Sequence, residues 1–124
     1  MILYIEATKP EFTIYLDPPA HNPETIYLNS ARIGIPNKLE FPPEVIHIYC
    51  DLIDSEDVRL NSKRTQLLGI IRKPKANQMS IQDSRSKIKT NGTNRVYSIT
   101  FRITDGTKLL EVAPEKIYLE IYIA

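Results

Sequence analysis

The side chains of this sequence that could perform metal or nucleophilic chemistry are His21, His47 and Cys50. A zinc site needs three or four Cys, His or carboxylate ligands, and neither histidine has a partner at ligand spacing. His47 alternates with Ile46 and Ile48, which predicts a surface position on a strand. Cys50 falls on the apolar side of the same alternation. We expect a buried structural cysteine, since a nucleophilic thiol needs a nearby base to depress its pKa.

Four carboxylates cluster directly after this strand, at Asp51, Asp54, Glu56 and Asp57. They raise the alternative of a calcium loop, but the glycine and closing glutamate of an EF-hand are not in register. We favour a solvated acidic loop and leave calcium binding as the alternative.

The charge distribution is uneven along the chain. Residues 1–58 contain ten acidic and three basic side chains, whereas residues 59–95 contain ten basic side chains and one acid, Asp83. The ten form a basic segment: Arg59, Lys63, Arg64, Arg72, Lys73, Lys75, Arg85, Lys87, Lys89 and Arg95. Such a segment could contact nucleic acid, an anionic glycan, or the acidic half of a second copy, or it could be a solvated loop.

Nucleic acid is the disfavoured partner, because no Phe, Tyr or Trp lies between residues 50 and 96 to stack on bases. For contact with an anionic glycan or receptor, the candidates from charge alone are Arg85, Lys87 and Lys89.

The sequence offers no recognisable catalytic machinery. It has no Ser/His/Asp ordering, no glycine-rich phosphate loop and no paired-carboxylate setting, and it contains only four glycines and no tryptophan. We therefore predict that the protein is not an enzyme and has no catalytic residue, resident metal or cofactor.

The elements that position these side chains follow from a hydrophobic period of two. Apolar residues at 12, 14 and 16, at 46 to 52, at 97 to 103 and at 117 to 123 alternate with polar ones, as in strands with one face on a core. This alternation predicts an all-β, antiparallel, jelly-roll-like β-sandwich. The predicted strands are 2–8, 12–17, 25–34, 45–53, 66–72, 78–82, 95–104, 108–112 and 116–123.

The turn signals agree with these strands. Prolines such as Pro18, Pro19 and Pro36 are predicted to lie between strands, where a missing N–H does no harm. Asp105-Gly106 predicts a hairpin turn. Residues 54–64 are predicted to form a loop with a short 3₁₀ turn, and residues 73–95 either a long loop or a pair of exposed strands.

Length and composition limit the class of protein to which the chain can belong. The 124 residues, 42% hydrophobic and 25% charged, fit a single globular domain spanning residues 1–124. One cysteine excludes an intrachain disulfide. No apolar run approaches the ~20 residues of a membrane span, and the first residues lack the pattern of a signal peptide.

Several segments of the chain, taken in order, resemble a known family. Residues 26–37 read Ile-Tyr-Leu-Asn-Ser-Ala-Arg-Ile-Gly-Ile-Pro-Asn, and residues 45–53 read Val-Ile-His-Ile-Tyr-Cys-Asp-Leu-Ile. Leu-Leu-Gly-Ile-Ile follows at 67–71. Residues 96–106 then read Val-Tyr-Ser-Ile-Thr-Phe-Arg-Ile-Thr-Asp-Gly, and residues 117–123 read Ile-Tyr-Leu-Glu-Ile-Tyr-Ile. This succession resembles the C-terminal module of structural proteins of Polinton/Maverick-type elements and related double-stranded DNA viruses. The glycine-rich stretch expected after Asp51 is replaced by Asp54-Ser55-Glu56-Asp57, and family members are usually longer.

The resemblance implies a capsid-associated, spike or fibre-head protein located in the virion, in which trimers are common. We expect a self-associating domain, with a trimer favoured, that contacts a host receptor or anionic glycan through its loops. A non-viral β-sandwich module for carbohydrate or protein recognition is the alternative.

Overall fold

The computed structural model describes residues 1–34, 43–53, 58–59, 63–64, 66–72, 78–81, 88–89, 95–110 and 116–124, with the backbone alone at 58–59, 63–64, 78–81 and 88–89. Eleven strands lie in these ranges, and no helix does. They are β1 (Ile2–Ala7), β2 (Glu11–His21), β3 (Thr25–Ile33), β4 (Val45–Cys50), β5 (Val58–Arg59), β6 (Lys63–Arg64), β7 (Leu67–Arg72), β8 (Gln78–Ile81), β9 (Ile88–Lys89), β10 (Arg95–Thr104) and β11 (Ile117–Ile123).

Two antiparallel sheets form the body of the molecule. The first sheet has the order β1-β11-β3-β8, with β9 pairing further along β3, and the second has the order β2-β10-β4-β7. The pairs are nested along the chain: β1 pairs with β11, β2 with β10, β3 with β8, and β4 with β7. In each sheet, a strand from the beginning of the chain therefore pairs with a strand from its end. The predicted all-β, antiparallel sandwich is confirmed.

Strands β1 and β2 are edge strands of the two sheets. Only residues 8–10 join them, and three residues reach about one spacing between packed sheets. The two edge strands therefore lie at the same side of the sandwich, which we call the β1–β2 edge.

The core lies between the sheets and is built from the alternating apolar residues. Ile99, Phe101 and Ile103 of β10 are fully buried, as are Ile117 and Ile121 of β11. Burying each such side chain contributes about 1.5–3 kcal/mol. Members from both sheets belong to one contiguous cluster, so the polar partners in the same strands are left on the outer faces.

The structure corrects the placement of two prolines. Pro18 and Pro19 lie inside β2 and not between strands. The register of β2 with β10 moves from Ala20 opposite Val96 to Tyr15 opposite Ser98, so residues 16–19 have no cross-strand partner. A proline lacks an N–H, and on an unpaired stretch of an edge strand this removes no ladder hydrogen bond.

Three other segments refine the predictions. The loop with a 3₁₀ turn predicted over 54–64 is wrong at 58–59 and 63–64, where β5 pairs with β6. Within 73–95, the strand alternative is confirmed for β8 and β9, which both pair with β3. The strand predicted over 108–112 is reduced to an isolated bridge between Leu109 and Thr104, and residues 111–112 lie outside the described ranges.

The predicted turn at Asp105-Gly106 is present. Gly106 has φ +104°, which L side chains rarely adopt. Asp105 Oδ1 accepts hydrogen bonds from the backbone N–H groups of Thr107 and Lys108. These bonds favour the carboxylate and lower the pKa of Asp105, with the Lys108 bond contributing most.

Candidate functional site

Of the three anion-contact residues predicted from charge, the structure describes only one, and that one by its backbone. Arg85 and Lys87 lie outside the described residues, and Lys89 is placed by its backbone alone, in β9 opposite Thr25. In the acidic cluster, residues 54–57 also lie outside. Asp51 is described, and its Oδ1 accepts the backbone N–H of Thr100 at 3.0 Å. Among the described residues, no three His, Cys, Asp or Glu side chains are grouped to hold a metal ion.

Cys50 and His47 lie on the faces that their alternation predicts. Cys50 is buried, and burial raises the pKa of its thiol to about 12, which disfavours the reactive thiolate. His47 lies on the outer face but is half-buried, and its Nδ1 is 3.1 Å from the Tyr49 hydroxyl. Desolvation, and secondarily Arg72, lower the pKa of His47. The histidine is thus more covered than predicted, because neighbouring strands pack beside it.

The surface best suited to ligand recognition is the outer face of the first sheet. Its three adjacent strands β1, β11 and β3 carry four of the seven tyrosines, which we call the tyrosine face: Tyr4, Tyr27, Tyr118 and Tyr122. Cross-strand pairing places Tyr4 opposite Glu120, and Tyr122 opposite Tyr27, whose ring centroids are 5.0 Å apart. Tyrosine presents a rigid apolar ring and a polar hydroxyl, so this face suits recognition.

A β-bulge in β3 organises the centre of this face. Glu120 pairs with Ser30, but the next residue of β11 pairs with Leu28, so Asn29 is the extra residue. As a result, Asn29 Nδ2 donates to Glu120 Oε2 at 2.7 Å, and Ser30 Oγ donates to the same oxygen at 3.1 Å. The two bonds fix the carboxylate, and its Oε1 accepts no hydrogen bond from any residue that the structure describes.

Next to Glu120 on the same face, two cationic side chains lie against an aromatic ring. The Arg32 guanidinium lies 4.6 Å from the ring centroid of Tyr118, and Lys116 Nζ lies 5.5 Å from it on an exposed side chain. Lys116 also pairs with Glu6, and the hydrogen bond to this carboxylate is the main cause that raises the pKa of Lys116. These contacts hold the Arg32 and Tyr118 side chains against each other.

These groups surround a half-open depression of about 250 Å³, which we call the Glu120 depression. It is lined by Tyr4, Ile5, Glu6, Ser30, Arg32, Tyr118, Leu119 and Glu120. The arrangement combines aromatic surface, one anchored carboxylate and one guanidinium. It can bind a small ligand by stacking and hydrogen bonding, and it presents no activated nucleophile.

A second, smaller depression of about 140 Å³ lies on the outer face of the other sheet, beside Tyr49, Asp51 and Arg102. Its polar groups bond within the fold: Gln66 Nε2 donates to two backbone carbonyls, and Arg102 pairs with Glu11 at 3.4 Å. We interpret these contacts as structural.

The sequence pattern did not indicate the Glu120 depression. One signal for the bulge was available, because the apolar positions of β3 switch from 26 and 28 to 31 and 33. No helix in the described ranges is long and apolar enough to cross a membrane. No protein-family model matches this chain, and a comparison with curated proteins finds no match.

Proposed function

We propose that this protein is a structural protein of a virus or virus-like element, a capsid-associated spike or fibre-head domain with a jelly-roll fold. The observation that carries the proposal is the nested pairing of β1 with β11, β2 with β10, β3 with β8, and β4 with β7. Such nesting is what results when one long antiparallel hairpin is rolled into two sheets, and it supports the jelly-roll topology.

Jelly rolls occur in viral capsid proteins, in lectins and in other proteins, so fold by itself does not select a function. The family resemblance of residues 26–123 favours the viral class among these. In this proposal the protein is a component of the virion and acts through surfaces that its strands hold rigid.

Self-association is supported by the β1–β2 edge. Edge strands present unpaired backbone groups that can pair with another chain. Met1 and Ile2 are about half exposed at this edge, and Tyr15 of β2 is 81% exposed. Apolar and aromatic side chains beside an open strand edge favour contact with a second copy. A trimer is the assembly we expect.

Light scattering coupled to size-exclusion chromatography tests this proposal. We expect a particle of three times the 14.3 kDa chain mass. Ile2→Lys places a charge at the edge and is expected to lower that mass, whereas Tyr97→Lys, on the inner strand β10, should leave it unchanged. A monomeric wild-type protein would contradict the spike proposal, and a trimer unaffected by Ile2→Lys would move the interface elsewhere.

A non-viral recognition module is the second candidate. The aromatic-lined Glu120 depression favours it specifically, because a small concave site with few polar groups is typical of ligand-binding modules. A stable monomer that binds a small ligand at this depression would favour this candidate over the spike.

A further inference from the structure

We propose that the Glu120 depression is a binding site for a neutral pyranose sugar, such as the terminal hexose of a glycan. The inference rests on the proposed function, in which the protein acts through its surfaces, and it names the class of ligand that one surface binds. It places recognition on the outer face of the first sheet and not on the basic segment.

The first support is aromatic surface at the rim. The Tyr4 side chain is 78% exposed although it lines the depression, so its ring faces solvent without packing against the fold. Tyr118 is partly covered by Arg32, which leaves Tyr4 as the more available platform. The C–H bonds on the flatter face of a pyranose are weakly positive and pack on the negative face of such a ring.

The second support is an anchored hydrogen-bond acceptor. Glu120 Oε2 is held by Asn29 and Ser30, whereas Oε1 accepts nothing from the described residues. A carboxylate oxygen can accept two hydroxyl protons, and its bonds to neutral donors are stronger than those of an uncharged acceptor. Because the carboxylate is fixed before the ligand arrives, little conformational entropy is lost on binding.

Charge determines the class of sugar. Glu6 is paired with Lys116, so the charges of these two groups offset each other. The remaining lining charges are the Glu120 carboxylate and the Arg32 guanidinium, and the latter lies against Tyr118. A sulfate or carboxylate on the ligand would meet the Glu120 carboxylate at the centre of the site. A neutral polyol can instead donate to Glu120 and accept from Arg32.

The small volume of the depression favours a ligand no larger than a single sugar ring. The depression measures about 250 Å³, below the roughly 300–1,000 Å³ of pockets for drug-sized ligands. A site this small and this open should bind weakly. We expect a Kd on the order of 1 mM for a single sugar.

The test is saturation-transfer NMR with the methyl pyranosides of glucose, galactose, mannose and N-acetylglucosamine, followed by titration of those that bind. The protein has no tryptophan, so tyrosine fluorescence gives a second readout. We expect at least one pyranoside to bind saturably. Tyr4→Ala and Glu120→Gln should each weaken it by about tenfold. Tyr97→Ala removes another exposed tyrosine, on the second sheet, and should leave the Kd unchanged.

Saturable binding of none of the four pyranosides would overturn the inference. So would equal effects of Tyr4→Ala and Tyr97→Ala on the Kd. Circular dichroism of each variant separates lost binding from lost folding. The mass in solution is measured on the same samples. A trimer without sugar binding overturns this inference alone, and a monomer that binds sugar overturns the spike proposal alone.

Discussion

Asn29 and Glu120 are 91 residues apart in the chain, yet Asn29 Nδ2 donates a 2.7 Å hydrogen bond to Glu120 Oε2. The bond exists because the bulge in β3 turns two successive residues toward one residue of β11. It therefore ties the geometry of the candidate site to the correct register of the first sheet.

A double-mutant cycle should detect this coupling. We expect Asn29→Ala to lower the free energy of unfolding by about 1 kcal/mol, because a half-buried hydrogen bond to a charged oxygen is lost. In the background of Glu120→Ala, the same change should cost much less, since its acceptor is gone. Urea denaturation of the four proteins measures the difference. Equal costs in both backgrounds would contradict the assigned bond.

Truncation of Phe101 should be the most damaging of the changes considered. Its side chain is fully buried, and its ring stacks on Phe12 with centroids 5.4 Å apart. We expect Phe101→Ala to cost about 3–5 kcal/mol by urea denaturation, through lost burial and the cavity left behind. Phe101→Leu keeps most of the volume and should cost less. Tyr97→Ala in the same strand should stay within about 0.5 kcal/mol. A similar loss for Phe101→Ala and Tyr97→Ala would contradict the core assignment.

Burial of Cys50 makes stability depend on alkaline pH. The thiol pKa is raised from 9.0 to about 12 in the folded protein, chiefly by desolvation. Above about pH 9 the unfolded thiol ionises while the folded thiol does not, so this contribution is complete below pH 9 and is lost as pH rises toward 12.

Cys50→Ala isolates this effect from other alkaline titrations. From about pH 9 to 11, the stability of the wild-type protein relative to the variant should fall by roughly 1 kcal/mol per pH unit. A thiol reagent at neutral pH should label Cys50 only after denaturation. Rapid labelling of the native protein would contradict the buried position.

Gly106 is required by the turn between β10 and Leu109. At its φ of +104°, a side chain is strained, and a Cβ would lie 3.3 Å from Val45 Cγ1. We expect Gly106→Ala to cost about 1–3 kcal/mol, measured by thermal or urea denaturation. Asp105→Asn is the matched control, because it keeps an oxygen that can accept the turn hydrogen bonds, and it should cost less. A harmless Gly106→Ala would contradict this turn geometry.

Sequence periodicity predicted the local structure well where one face of a strand is buried. The alternation around Cys50 and from Ile99 to Ile103 placed those strands and their inward faces, because a pleated strand exposes every second residue. The prediction was wrong at Tyr97, which is exposed while Val96 is buried, because the register of β10 shifts between Val96 and Ser98. It failed at Pro18 and Pro19, because tolerance of a proline depends on whether a partner strand needs its N–H.

The residue pattern alone determined that this chain forms mainly strands, which side of β4 and β11 is apolar, and that Asp105-Gly106 turns. Only the tertiary structure decided that Tyr4, Tyr118 and Glu120 line one depression, and that Asn29 donates a hydrogen bond to Glu120. The physical reason is that alternation reflects only the residues of one strand, whereas the neighbour of a strand in a sheet comes from a segment far away in the sequence. In this protein, β11 near the end of the chain pairs with β1 and β3 near its beginning. The bulge brings Asn29 to Glu120 only when β3 and β11 are paired in this register.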